Sequence, residues 1–171
     1  DTTGQFAGNG QSGDVWFLGA SFGDPPSVSR TITIPQGTAL FFPLFNFEED
    51  SAFSPTATAQ EIADGLNAMV LQVTQLRLTV DGSPMPDLGL LRAKSPGAFS
   101  VSLPPGGDDV YTYFGVDAGT TINTMVSDGY WVFIEPLPVG THTISFGGTQ
   151  DDGVEPFSVD ANYTIHVVAA D

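Results

Sequence analysis

Short apolar runs, each closed by a turn signal, recur along the whole 171-residue chain and call for strands rather than helices. The segment SVSRTITI at 27–34 alternates with period two. Val28, Ile32 and Ile34 share one face, and Ser29, Thr31 and Thr33 share the other. Pro35-Gln36-Gly37 closes that run. TALFFPLFNF at 38–47 is apolar on both faces, so its sheet needs cover on each side. Further strands are expected at 15–22, 75–80, 98–103, 110–116, 121–126, 130–135, 141–147 and 157–168. One window breaks the pattern. Thr58 and Glu61 have capping-box spacing, and Ile62, Leu66, Met69, Val70 and Val73 recur at helical intervals. The expected fold is all-β: an antiparallel β-sandwich or jelly roll with one amphipathic helix, about 58–73, packed on a sheet. Residues 1–13 read as a Gly-rich N-terminal arm, and residues 14–171 as a single β-sandwich domain.

Charge narrows the functions open to such a fold. The chain has 20 acidic residues against four basic ones, a formal net charge of -16, and no cysteine. Nucleic-acid binding needs clustered Lys and Arg, and anionic membranes attract the same residues, so neither is an expected partner. No apolar stretch reaches the length that spans a bilayer, so no membrane insertion is expected. Without cysteine there is no disulfide, thiol nucleophile or thiolate metal site. An acidic, cysteine-free chain that starts at Asp1 is expected to be a secreted or cell-surface bacterial protein, where salt or calcium screens self-repulsion.

A few polar side chains fall on faces that otherwise read as apolar. Arg30 lies with Val28 and Ile32. Asn46 and Glu48 continue the Leu40/Phe42/Leu44 face, Glu135 shares a face with Trp131 and Phe133, and His142 shares one with Ile144 and Phe146. Buried charges must be paired, so Arg30 is expected to meet a carboxylate, Glu135 or Glu48. The functional reading is a pocket holding Arg30, Asn46, Trp131 and His142 as binding residues. The plainer reading is edge positions, or one buried ion pair that holds the sheets in register. Glu48 and Glu135 are also the carboxylates a hydrolase would use. The acidic clusters Glu48-Glu49-Asp50, Asp108-Asp109 and Asp151-Asp152 read as solvated loops. Glu48, Glu49, Asp50, Asp151 and Asp152 are the candidate calcium ligands, since hard cations take several oxygens. Two histidines with no paired spacing make an imidazole metal centre a poor reading. Tyr130-Trp131 suggests an aromatic platform for sugar stacking, but neighbours on one strand point to opposite faces, so at most one ring can join a platform, and core packing is the favoured reading. Asn162-Tyr163-Thr164 matches a glycosylation sequon.

Three segments carry a resemblance: GQSGDVWFLGASFG at 10–23, RTITIPQGTALFFPLFNFE at 30–48 and SDGYWVFIEPLPVGTHTISFGG at 127–148. As a set they resemble a family of secreted bacterial β-rich single-domain proteins of unassigned function. The resemblance implies export and a compact β-rich fold, and supplies no catalytic residues. Members of that pattern often carry a cysteine near the end of the FFP strand, which this chain lacks.

The expected function is an extracellular non-catalytic module that binds surface glycan or matrix, or assembles with copies of itself, with Ca²⁺ as a stabilising ion. The alternative is a secreted polysaccharide-active hydrolase on a jelly-roll scaffold that uses a carboxylate pair.

Overall fold

The computed structural model describes residues 1–21, 25–107 and 109–169. Phe22, at the end of the first expected strand, and Asp108 lie outside them. In chain order the elements are β1 (Val15–Phe17), β2 (Ser27–Pro35), β3 (Ala39–Asp50), α1 (Ala59–Val70), β4 (Val73–Val80), β5 (Ser83–Pro84), a 3-10 turn (Leu88–Leu91), β6 (Arg92–Lys94), β7 (Phe99–Ser102), α2 (Val110–Tyr113), β8 (Thr121–Ile134), β9 (Gly140–Gln150) and β10 (Phe157–Val168). The chain is mostly β. It forms two mixed five-stranded sheets: β1-β3-β8-β6 with β7 on β8, and β2-β10-β9-β4-β5. None of the described helices is long and apolar enough to cross a membrane.

Most pairings are antiparallel, as expected, but β1 runs parallel to β3 and β2 parallel to β10. A hairpin turn forces its two strands to be antiparallel. β2 and β10 share no hairpin, since β2 ends at Pro35 and β10 begins at Phe157, so turn chemistry could not announce their direction. The two strands expected at 121–126 and 130–135 are one long strand, β8. Asp128-Gly129 reads as a turn, yet here the glycine provides room. A Cβ on Gly129 would lie 2.6 Å from both Asn46 Cα and the Phe45 carbonyl oxygen.

The chain divides into two compact units, and β3 and β8 contribute residues to both. The first comprises Asp1–Asn46, Leu71–Arg92 and Gly129–Asp171. Its core is the alternation made physical. Val28, Ile32 and Ile34 from β2, Leu40, Phe42 and Leu44 from β3, and Ile144, Phe146, Ala161, Tyr163 and Ile165 from β9 and β10 form one buried cluster. The Phe42 and Phe146 rings lie 4.4 Å apart, centroid to centroid. Removing aromatic and aliphatic side chains of this size from water is the dominant stabilising term.

Arg30 sits on this apolar face, opposite Tyr163 in the β2–β10 register. Its partners are not the expected carboxylates. Nε and Nη2 donate to the Asp1 carbonyl at 2.9 and 2.7 Å, and Nη1 donates to the Tyr163 hydroxyl at 2.8 Å and to the Gly19 carbonyl. The guanidinium carbon also lies 5.7 Å from the Tyr163 ring centroid. The reason is local. The segment expected to be an extended arm folds along β2, where Thr31 N–H donates to the Thr3 carbonyl at 2.9 Å, and this brings main-chain oxygens to the guanidinium. The Asp1 carboxylate in turn accepts from the backbone N–H groups of Thr3, Gly4 and Phe6, all at 3.0 Å.

The second unit comprises Phe47–Val70 and Ala93–Asp128. Here α1 begins with the expected capping box. Thr58 N–H donates to Glu61 Oε2 at 2.8 Å, and Glu61 N–H donates to Thr58 Oγ1 at 3.3 Å. Ile62 and Leu66 pack on Val126 and Phe47. Met69, assigned to that buried face by spacing, is exposed, and Val73 opens β4 rather than ending the helix. A second cluster joins Leu103, Ile122 and Met125 to Val101, Tyr111 and Val116.

The Arg30 geometry predicts the outcome of removing its charge. Arg30→Met strands the Asp1 carbonyl, while the Gly19 carbonyl keeps the Tyr163 hydroxyl as donor at 2.8 Å, and is expected to destabilise the fold by about 1–3 kcal/mol in urea unfolding. Arg30→Lys recovers only part of that, because one ammonium cannot span three acceptors fixed around a planar fork.

Candidate functional site

The second unit holds an arrangement that alternation did not foretell. Residues 110–116 were expected to be a strand, but Val110–Tyr113 form the single-turn helix α2. Asp109 caps it. Its Oδ1 accepts the Thr112 N–H at 2.9 Å, and its Oδ2 accepts the Thr112 hydroxyl at 2.9 Å. Both donors are held only if the backbone turns, so the cap overrides the β-propensity of a Val- and Tyr-rich stretch. The consequence is steric. In a strand Tyr111 and Phe114 would point to opposite faces, whereas three residues apart on a helical turn they lie on the same side.

Phe53, in the turn after β3, meets both rings. It stacks on Tyr111 with centroids 5.9 Å apart and an interplanar angle of 18°, and it meets Phe114 edge-on at 6.4 Å. Tyr113 continues the row, edge-on to Phe114 at 5.2 Å. Phe53 and Phe114 are each 55% exposed and Tyr113 is 84% exposed, so this aromatic row faces solvent.

Carboxylates anchor the row from below. Asp50 is fully buried. Its Oδ1 accepts the N–H groups of Ala52 and Phe53 at 2.5 and 3.4 Å, which bends the chain and positions Phe53. The Tyr111 hydroxyl donates to Asp50 Oδ2 at 2.7 Å and lies 3.0 Å from Glu48 Oε2. One phenolic proton thus serves two acidic groups. Burial drives the Glu48 carboxyl up to about 7, aided by the neighbouring Asp50 and Glu49 charges and opposed by the Tyr111 hydroxyl. Burial and the carboxylates of Asp50 and Glu48 push the Tyr111 phenol up as well. Glu49 is engaged by the Ser54 hydroxyl.

The residues singled out from the sequence take separate places. Glu48 belongs to the second unit and Glu135 to the first, where Glu135 is exposed just beyond β8. Asn46 is half-buried against Gly129. Trp131 stacks on Phe41, with centroids 5.5 Å apart and planes within 6°, and Tyr130 packs on the core. His142 bridges Asp81 Oδ2 at 2.8 Å and the Pro138 carbonyl at 2.9 Å. With both ring nitrogens facing acceptors, the protonated ring is favoured, and the hydrogen bond to Asp81 is the largest cause of its raised pKa. Asp151 and Asp152 accept main-chain N–H groups of their own loop, from Gly153 and Val154, each at 2.9 Å. Among the described residues no group of three or more His, Asp or Glu side chains gathers as metal ligands would.

Two pH effects follow, and both have the same sign. Glu48 binds its proton more tightly in the folded chain, so its ionisation costs stability progressively from about pH 4.5, the ordinary value for a glutamate, up to about 7. The raised His142 pKa contributes stability that is complete below the ordinary histidine value of 6.5 and is lost as pH rises through the folded value. Urea midpoints measured from pH 4.5 to 8 are therefore expected to fall. Glu48→Gln should remove the lower part of that fall, and His142→Gln the upper part.

Family models, curated proteins and solved structures contain no match to this chain.

Proposed function

We propose that the protein is an extracellular, non-catalytic glycan-binding module on a β-sandwich scaffold of jelly-roll type, made by a bacterium. The observation that carries this reading is the exposed row Phe53, Tyr111, Phe114 and Tyr113, braced by a carboxylate turn. Sugar rings present apolar C–H faces that lie on aromatic rings, and hydroxyl rims that carboxylates and phenols can bond. Three of these rings keep a third or more of their surface in water, which core packing alone would not require. Assembly by strand addition at β2 is less well supported, because Thr3 already bonds to that edge.

One observation favours hydrolysis as the second reading: Glu48 titrates near neutrality, as a general acid must. Its near partner Asp50 is fully buried, however, and a retaining or inverting glycosidase needs both carboxyl groups on the sugar.

Affinity electrophoresis against a panel of soluble polysaccharides tests the first reading. Phe53→Ala and Tyr113→Ala are each expected to weaken retention by about five- to tenfold, the worth of one stacked ring. Unchanged retention in both variants sinks it. A reducing-sugar assay on the same panel decides the second reading, since release of sugar that disappears in Glu48→Gln would make the protein a hydrolase.

A further inference from the structure

In the first unit, β4, β9 and β10 present an outward face with an organisation of its own. The register aligns Asp160 on β10 with Gly147 on β9 and Arg77 on β4. Asp160 and Arg77 therefore lie one strand apart, with only a glycine between them. They close that gap across it, Arg77 Nε and Nη2 donating to Asp160 Oδ1 at 3.0 and 2.9 Å. The glycine is necessary, because a Cβ on Gly147 would lie 2.4 Å from Asp160 Oδ1 and 2.2 Å from the Val159 carbonyl oxygen. Arg77 is pinned further by Gln75 Oε1 and Thr149 Oγ1, both at 3.3 Å. The ion pair is thus a rigid bar laid across the sheet.

The next row of the register, about 7 Å along the strands, aligns Asn162, Ser145 and Thr79, with Pro84 beyond them on β5. A cavity of about 390 Å³ lies here, lined by the bar and this row together with Pro84, Met85 and Leu88. Its polar groups are unspent. Both Arg77 bonds fall on Asp160 Oδ1, which leaves Oδ2 open, and the side chains of Asn162, Ser145 and Thr79 bond to no other described residue. One amide, two hydroxyls and a fixed carboxylate oxygen thus converge beside apolar Pro84, Met85 and Leu88.

We propose that this cavity is a second carbohydrate site, for one uncharged sugar ring, an assignment that rests on the glycan-binding reading. The chemistry selects the class. A pyranose has an apolar C–H face for Met85 and Pro84, and a rim of hydroxyls that both donate and accept. The amide and hydroxyls meet that rim in either sense, and Asp160 Oδ2 accepts from it. The cavity's only formal charges among the described residues cancel within the bar, while the chain as a whole carries -16. An anionic ligand would find no spare cation here and a repelling field around it, so uronic acids and sulfated sugars are disfavoured.

The test is isothermal titration together with amide chemical-shift mapping on the whole chain. The probes are cellotetraose, mannotetraose and galactotetraose, with oligogalacturonate as the anionic counterpart. The variant is Asn162→Ala with Thr79→Val, whose unbonded side chains let melting temperature report an intact fold. At least one neutral probe is expected to shift the amides of 77–79, 145–147 and 160–162. Its Kd at that site should rise about tenfold in the double variant, the worth of two neutral hydrogen bonds, and should not change in Phe53→Ala. Oligogalacturonate should leave those amides unmoved. Neutral sugar that binds with shifts confined to the Phe53–Tyr113 row, indifferent to the double variant, overturns the second site and leaves the glycan reading standing. Binding of oligogalacturonate at 160–162 overturns the selectivity argued from charge. No shift anywhere with any probe overturns both readings.

Discussion

Asp50 is an ionisable group wholly removed from water, and the candidate site is shaped by the way its oxygens are satisfied. A buried carboxylate without donors is among the costliest features a fold can carry. Here one oxygen takes N–H groups from the turn that follows β3, and the other takes the phenol of α2. Those bonds place Phe53 and Tyr111 face to face, and the Asp109 cap then brings Phe114 alongside. The aromatic row is the exposed consequence of a polar problem solved beneath it. Glu48 bears the cost. It shares the phenol with Asp50 and is driven toward neutrality by burial.

The scarcity of cations gives each one unusual weight. With four basic residues against 20 acidic ones, electrostatic balance cannot be spread over the surface. Arg30 turns instead to main-chain carbonyls and the face of Tyr163, binding the first residues of the chain to β2. Arg77 neutralises Asp160 over Gly147 and is held there by three further acceptors, Gln75 Oε1, Thr149 Oγ1 and the Gly148 carbonyl. Neither guanidinium is left to attract an anion. The two proposed sugar sites use different chemistry, exposed rings in one unit and a hydroxyl-lined cavity in the other.

Much of the scaffold was legible in local pattern. β10 spans the residues that alternation assigned to it, the capping box at Thr58–Glu61 starts α1, and the apolar face of β2 is the face that is buried. These features depend on neighbours close in sequence, so period and capping chemistry report them. The site was less legible. Glu48 was marked by its position on an apolar face, but its partner is Tyr111 and not Glu135 or Arg30. The Asp109–Thr112 spacing was the available signal for α2. Read as a cap, it would have placed Tyr111 and Phe114 on one side.

The sequence by itself determined a mostly β chain with one amphipathic helix, an acidic surface and no thiol chemistry, because these follow from residue type and from periodicities of two and 3.6. Tertiary structure alone decided the rest. The parallel match of β2 to β10 aligns residues more than a hundred positions apart, and no turn joins them to set direction. The same register lays Asp160, Gly147 and Arg77 in one row and Asn162, Ser145 and Thr79 in the next. Each of those side chains, taken singly, is an ordinary outward residue on an ordinary strand. Their convergence exists only once three strands are aligned, since backbone hydrogen bonding fixes register and register fixes which side chains become neighbours.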